Sequence, residues 1–308
     1  MDLKQLEYMV AIADHGNISK AAASLFITPS GLNQQLIKLE KELGVQLFYR
    51  NKHSLRMTQA GAIYVNGSRE ILHIRKNTYT QLDDLKGNTT GEIRLGLTHE
   101  HGIDLFTSVF PEFNRHFPGI TFFLQEAIVA QQHTMIHNGE LDLGIVMLDE
   151  KEKADMEYIK IFNENLVLGI SRSHPMAKYA SKPGEPLTVI DLSLFRDDKF
   201  SLIFSGSTMR RVLDPVFKQA GFQPKIQIET AMNHALVKLV RIGLCCTIIP
   251  QSRAEIDKNS EEIAWFYLSS RPNWNVYFVH RRDTQFSEAT RFFIQLAQIY
   301  GVTLEQNQ

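Results

Sequence analysis

Ser30, Asn33, Gln34 and Lys38 lie within nine residues and, at about 100° per residue, share one side of a helix whose other side carries Leu32, Leu36 and Leu39. The planar amides of Asn33 and Gln34 each hold a donor and an acceptor, the geometry that reads adenine in the major groove. Ser30 and Lys38 suit base edges or phosphates. Amphipathic surface helices also expose amides and lysines without binding anything, so the face alone leaves both readings open. The basic turn from Arg50 to Arg56 follows between two short extended pieces, a plausible wing that brings Arg50, Lys52 and Arg56 near phosphates.

Other constellations are weaker. His99 with His101, and His133 with His137 at i, i+4, have metal-ligand spacing, but eleven histidines make such pairs common by chance. Neither a metal nor a cofactor is expected. Cys245 and Cys246 are the only cysteines; adjacent cysteines bridge only with strain, and they read as buried structural thiols rather than a redox switch. No G-x-S-x-G, P-loop or H-E-x-x-H motif occurs, so no catalytic residues are assigned and the chain is not read as an enzyme.

The elements that position the polar face form a helix-turn-helix. Leu3, Leu6, Val10 and Ala13 recur at helical spacing until His15-Gly16-Asn17, and an alanine-rich helix spans Ile18 to Phe26. Thr28 is an N-cap with Pro29 at the first helical position of the next helix. From Thr58 a helix runs to about Lys86, roughly 29 residues and about 43 Å. Its seam of Ala60, Ile63, Gly67, Ile71, Ile74, Thr78 and Leu85 suits a partner helix, hence a dimerisation stalk ending at Gly87–Gly91. From Glu92 strands alternate with helices, implying a mainly parallel open sheet. A second strand–helix set starts near Asn165.

The 308 residues suit two or three packed units, and 44% hydrophobic with 22% charged residues is an ordinary globular composition. Net charge is −1, which argues against a uniformly basic nucleic-acid binder, but residues 1–90 hold 11 Lys/Arg against 8 Asp/Glu. A polyanion partner should therefore meet the N-terminal third. Neither a membrane span nor a signal-peptide core is visible, which suggests a cytoplasmic protein.

The run from Leu3 to Gly61 closely resembles the N-terminus of LysR-type transcriptional regulators. The matching segments are Ser19-Lys20-Ala21-Ala22, Thr28-Pro29-Ser30, Leu39 to Val45, Leu47-Phe48-Tyr49-Arg50 and Leu55 to Gly61. Phe110 to Phe113, Gly139 to Ile145, His174-Pro175, Val240 to Leu244 and Ile248-Ile249-Pro250 resemble the same family's effector domain. The chain departs from the family at Asn33-Gln34, where Ser-Arg is frequent, so base preference need not transfer.

The resemblance implies a winged helix-turn-helix (all-α with a small β wing) at 1–58 and a linker helix at 59–88. It further implies an α/β, two-lobed, periplasmic-binding-protein-like effector domain, with lobe I at 91–162 and 268–302 and lobe II at 163–267. Crossover strands near 162 and 267 join the lobes, and a final helix (about 286–300) returns to lobe I. The DNA-binding residues are then Thr28, Pro29, Ser30, Asn33, Gln34, Lys38, Arg50, Lys52 and Arg56.

Open sheets bind ligands beyond the carboxyl ends of their strands, and in this family four such segments border an inter-lobe cleft. Thr98, His99, Ser205, Thr208, Asn233 and Thr247 are the candidate lining residues. Hydroxyls and a helix N-terminus favour a small organic acid; Arg210 and Arg211 could clamp it or face solvent. The function implied is sequence-specific, effector-responsive regulation of promoter DNA by a homo-oligomer, a dimer of dimers. A cytoplasmic solute-binding protein without a main role on DNA is the alternative.

Overall fold

The computed structural model describes residues 2–50, 54–87, 90–148, 153–182, 185–256 and 261–306. Lys52 lies outside them, as does the side chain of Arg50. The chain divides into two compact units. The first is 1–88 with 137–140 and 283–288, and the second holds the remainder.

The first unit begins with α1 (Leu3–His15), α2 (Ile18–Ser24) and α3 (Pro29–Leu43). Gly16 at φ 56° ends α1, and Asn17 caps α2 by accepting from the Ser19 and Lys20 amides. The buried seam of α1 is Leu6, Met9 and Ile12, not the expected Leu3, Leu6, Val10 and Ala13. Leu3 is exposed, while Val10 and Ala13 pack at the rim of the core. Both stripes have helical spacing, and the long Met9 and Ile12 side chains fill the space the small helix α2 leaves. Helix α2 stops two residues short of Phe26, which is 96% exposed at φ 56°.

Leu32, Leu36 and Leu39 of α3 are buried against Ala21, Ala22, Leu47 and Phe48. Strands β1 (Phe48–Arg50) and β2 (Leu55–Met57) form the antiparallel wing. Glu40 of α3 ties the wing's root to the helix by accepting from the Leu47 and Phe48 amides at 2.8 and 3.2 Å.

Thr58 caps α4 (Gln59–Leu85), whose 27 residues span about 40 Å. Its buried residues are Gly61, Val65, Ser68 and Arg69. Arg69 pairs with Asp14, and Arg75 with Glu7 at 2.6 Å, so α4 lies along α1. Gly61 is obligatory: a Cβ there would stand 1.9 Å from the Leu47 carbonyl oxygen. Of the seam expected to seek a partner, Ile63, Ile71, Ile74 and Leu85 are all exposed.

The second unit opens with β3 (Thr90–Leu97), α5 (His101–His116), β4 (Gly119–Glu126), α6 (Val129–Asn138), β5 (Leu143–Leu148) and β6 (Glu157–Ser171). It continues through β7 (Thr188–Ile190), β8 (Lys199–Ile203), α7 (Thr208–Gln219), β9 (Lys225–Thr230), α8 (Asn233–Arg241) and β10 (Thr247–Pro250). Helix α9 (Gln251–Ile256), β11 (Ile263–Leu268), β12 (Asn273–His280) and α10 (Glu288–Gln306) complete it.

The main sheet has the order β4-β3-β5-β12-β6-β11-β7, with β10 also on β6, and β8 and β9 pair separately. The mainly parallel sheet expected from strand–helix alternation is corrected. Pairings β3–β4, β3–β5, β7–β11 and β8–β9 are parallel, but β5–β12, β6–β12, β6–β11 and β6–β10 are antiparallel. The cause is β6, whose 15 residues reach about 50 Å. Through Asn165 it pairs with β12, and from Leu166 onward with β10 and β11. A chain that leaves one lobe on β6 must return on β12, and the return strand runs the other way.

Helix α10 packs on the β6–β12 end. Phe293 joins Phe106 and Phe113 of α5 and Phe122 of β4, with ring centroids 5.0–6.0 Å apart.

Candidate nucleic-acid interface and inter-lobe site

The N-terminus of α3 is built by Thr28. Its hydroxyl oxygen accepts from the Gly31 amide at 3.1 Å, and Pro29, which has no N–H to satisfy, occupies the first helical position. With the leucines buried, Ser30, Gln34 and Lys38 emerge exposed, and Asn33 is half-buried at the edge of that face. Thr28 and Pro29 are exposed beside it. In the wing, exposed Arg56 stands opposite Tyr49, itself 59% exposed. Leu55 donates its amide to the Gly16 carbonyl at 2.8 Å, anchoring the wing to the α1–α2 turn. Phe26, at the entrance to α3, was missed as a surface residue. An apolar type at the end of an apolar pattern reads as core, and only its left-handed backbone turns it out.

In the second unit the six candidates have different fates. Thr98 donates to the Met147 sulfur at 3.3 Å, and exposed His99 pairs with Glu126 at 2.6 Å. Ser205 is exposed. Ser207 caps α7, and Arg211 donates to the Gly206 carbonyl and to the Thr208 hydroxyl at 2.9 and 3.1 Å. Thr247 has no exposed surface, and its hydroxyl donates to the Ser201 carbonyl at 2.8 Å, so it ties β10 to β8 rather than lining an open site. Asn233 is 5% exposed, and its side-chain oxygen has no hydrogen-bond partner among the described residues. The open alternative for Arg210 is resolved against both readings. It is buried and bonded to Asp214 at 2.9 Å and Glu229 at 2.5 Å, a structural pair rather than a clamp.

The residue sequence reasoning missed is Glu100. Its carboxylate accepts from the backbone amides of Asn233 and His234 and meets Nδ1 of the His234 ring, so it joins the β3–α5 junction to the start of α8. Partial burial pushes its pKa up, but those hydrogen bonds together hold it below the usual carboxylate range. The signal was present as an acidic residue between His99 and His101.

The next residue, His101, forms a buried pair with Glu164 of β6, Nε2 to Oε2 3.0 Å. The Glu164 carboxylate also accepts from Trp274 Nε1 and from the Ser252 amide at the start of α9, both at 3.0 Å. Burial opposes both charges, yet the mutual attraction and these hydrogen bonds prevail, raising the pKa of His101 and lowering that of Glu164. One turn on, Asp104 pairs with Arg253 of α9 at 2.8 Å.

The histidines whose spacing is set aside as chance make other contacts: His99 with Glu126, His101 with Glu164, and His133 with the Tyr158 hydroxyl at 3.1 Å. A different group, His174, Asp198 and Cys246, places its ligand atoms within 4.8 Å of one another. Nδ1 of His174 accepts from the Met176 amide, so Nε2 carries the proton it donates to Asp198 and offers no lone pair to a metal. Cys245 and Cys246 are free and buried, and burial pushes both thiols up.

Comparison with known proteins matches residues 3–62 to the family described as bacterial regulatory helix-turn-helix protein, lysR family, and residues 86–300 to the LysR substrate binding domain. One relative is a hydrogen peroxide-inducible genes activator of Pectobacterium carotovorum subsp. carotovorum. It is 29% identical over 283 residues, 91% of this chain and 90% of that protein. A full-length OxyR variant from Pseudomonas aeruginosa shares the fold with TM-score 0.76 and 20% identity, over 97% of this chain and 98% of that one. Full-length CbnR, solved with its target DNA, gives TM-score 0.54 and 22% identity over 98% and 100%.

Proposed function

We propose, for a chain that belongs to the LysR family of bacterial regulatory helix-turn-helix proteins, that promoter sequence is read by Ser30, Asn33, Gln34 and Lys38 of α3. The protein is a DNA-binding transcriptional regulator with an effector-binding domain. In the proposed complex Thr28 and Pro29 present the start of α3 to the duplex, and Arg50, Lys52 and Arg56 of the wing engage phosphates. The exposed row on α4 supports pairing of two chains through that helix, with two such dimers forming the working tetramer. The effector is a small organic acid held between the lobes, and the protein does no catalysis on it.

The observation that carries this reading is the capped helix α3, which buries three leucines and leaves Ser30, Gln34 and Lys38 exposed beside a tethered wing. The solute-binding alternative gives that face and the wing no role. Sensing of peroxide through thiols is likewise not favoured. The two cysteines are adjacent and buried with raised pKa, so little thiolate is available to attack an oxidant. Peroxide-inducible activation is therefore not carried over from that relative.

The test is selection of binding sites from a random duplex library on the full-length protein, followed by fluorescence anisotropy. Gln34→Ala should weaken binding to the selected site by about 1–3 kcal/mol and relax preference at one base pair. Arg56→Ala should weaken all sequences alike and reduce the salt slope by about 1. Unchanged affinity and preference in Gln34→Ala would refute the assignment of α3.

A further inference from the structure

We infer that Glu100 is a tethered ligand: its carboxylate occupies the start of α8 in the place of a small free carboxylate, and a carboxylate effector acts by displacing it. The inference rests on the reading of the inter-lobe segments as the effector site.

The first N–H groups of a helix have no acceptor within it. At α8 the preceding residue is Met232, which makes no side-chain cap. The missing acceptor comes instead from a residue 133 positions earlier in the chain, across from lobe I. Two backbone N–H groups and the His234 ring converge on that carboxylate, as they would on any small carboxylate of the same shape. Asn233 supplies a second, independent sign of a ligand. It is 5% exposed, and its side-chain oxygen at this same helix start is an acceptor with no donor among the described residues. A free acid carrying a hydroxyl or ammonium beside its carboxylate satisfies it, whereas the methylene stem of Glu100 does not.

The exchange has a mechanical consequence. While Glu100 holds α8, the β3–α5 junction of one lobe is bonded to the first turn of α8 in the other. A free carboxylate makes the same bonds to α8 without that covalent link to lobe I, so binding it releases the lobes from this tie. The ligand then favours the released arrangement by the difference in its affinity for the two.

The experiment vacates the place and refills it. Full-length Glu100→Ala and wild type are unfolded thermally at pH 7 in sodium acetate, sodium glycolate or sodium chloride of equal ionic strength. The variant should melt below wild type in chloride and recover saturably in acetate. Glycolate, which adds a hydroxyl as a donor for Asn233, should act at a lower concentration than acetate. Wild type, whose site is filled, should respond only at far higher concentrations. Equal melting of the variant in all three salts, or equal responses of variant and wild type, would overturn the inference. If Glu100→Ala does not fold, Glu100→Gln keeps the bulk and one acceptor but loses the charge, and acetate should stabilise it at lower concentration than wild type. Affinity for the selected duplex, measured in the same salts, separates the two levels. Recovery in acetate with DNA affinity and lobe behaviour unchanged refutes the effector reading while leaving the tethered carboxylate intact.

Discussion

Glu164→Gln is the sharpest test of how the second unit is held together. Wild-type Glu164 is fully buried, faces His101 Nε2 at 3.0 Å, and accepts from the Ser252 amide on one carboxylate oxygen and from Trp274 Nε1 on the other. Glutamine has nearly the same shape but one carbonyl oxygen and an NH2, so one of those two donors must face another donor. Removing one partner of a buried ion pair costs about 3–5 kcal/mol. For a unit of this size each kcal/mol lowers Tm by roughly 2–4 °C, so the expected drop is about 6–20 °C. The pH dependence should also change sign. In wild type the raised pKa of His101 gives stability that is complete below its ordinary 6.5 and lost as pH rises through the folded value. The lowered pKa of Glu164 gives stability present above 4.5 and lost as pH falls through its folded value. The pair therefore contributes most between those two ordinary values. In Glu164→Gln His101 loses its buried counter-charge, burial then outweighs the remaining Asp104 attraction, its proton destabilises the fold, and stability should rise as pH increases through 6.5. Circular dichroism melts from pH 5 to 9 read both effects. A variant within about 2 °C of wild type at pH 6, with the same pH slope, would show that the pair does not hold this junction.

Two further outcomes are expected. Ile63→Asp combined with Ile74→Asp on exposed α4 positions should convert the oligomer to monomer by light scattering while leaving the helical content of α4 nearly intact; an unchanged mass would refute the stalk. Gly61→Ala should loosen the first unit, because its Cβ would meet the Leu47 carbonyl at 1.9 Å and the wing root would have to move. DNA affinity should fall while the second unit's melting transition stays in place, and unchanged affinity would mean the wing does not contribute.

The first unit was legible because its signals are local. Thr28-Pro29, the leucine triplet of α3 and the two ends of α4 are decided by capping, proline geometry and periodicity within a few residues. The seam of α1 was not, since Val10 and Met9 fit a helix equally and only packing against α2 chooses. In the second unit β6 was read from Asn165 onward, yet it begins at Glu157. The stretch Glu157 to Glu164 carries Glu, Lys, Asn and Glu between its apolar residues, and what keeps it extended is pairing with β12, more than a hundred residues away. Only the family resemblance supplied the crossovers. The candidate ligand residues follow from polar side chains at strand ends and helix starts, which finds Asn233 but also Thr247, whose hydroxyl is spent on the Ser201 carbonyl of β8. Glu100 escaped because its three partners become neighbours only when two lobes meet.

The start of α5 gathers what the sequence could not show. Glu100, His101 and Asp104 occupy one helical turn, where acidic side chains favour the helix's own positive end. Here two of the three face away toward other elements. Glu100 bonds to α8, and Asp104 to Arg253 of α9. His101 reaches Glu164, two residues before β6 changes sheet partner at Leu166, and Glu164 in turn holds the start of α9. Three ties from a single turn thus reach both helices that flank β10 and the crossover strand itself. Displacing Glu100 removes one tie and leaves two, of which only His101–Glu164 is buried, so the change expected is a rotation about that pair rather than separation of the lobes. The buried pair supplies the fixed end and the carboxylate the releasable one, and a hinge needs both.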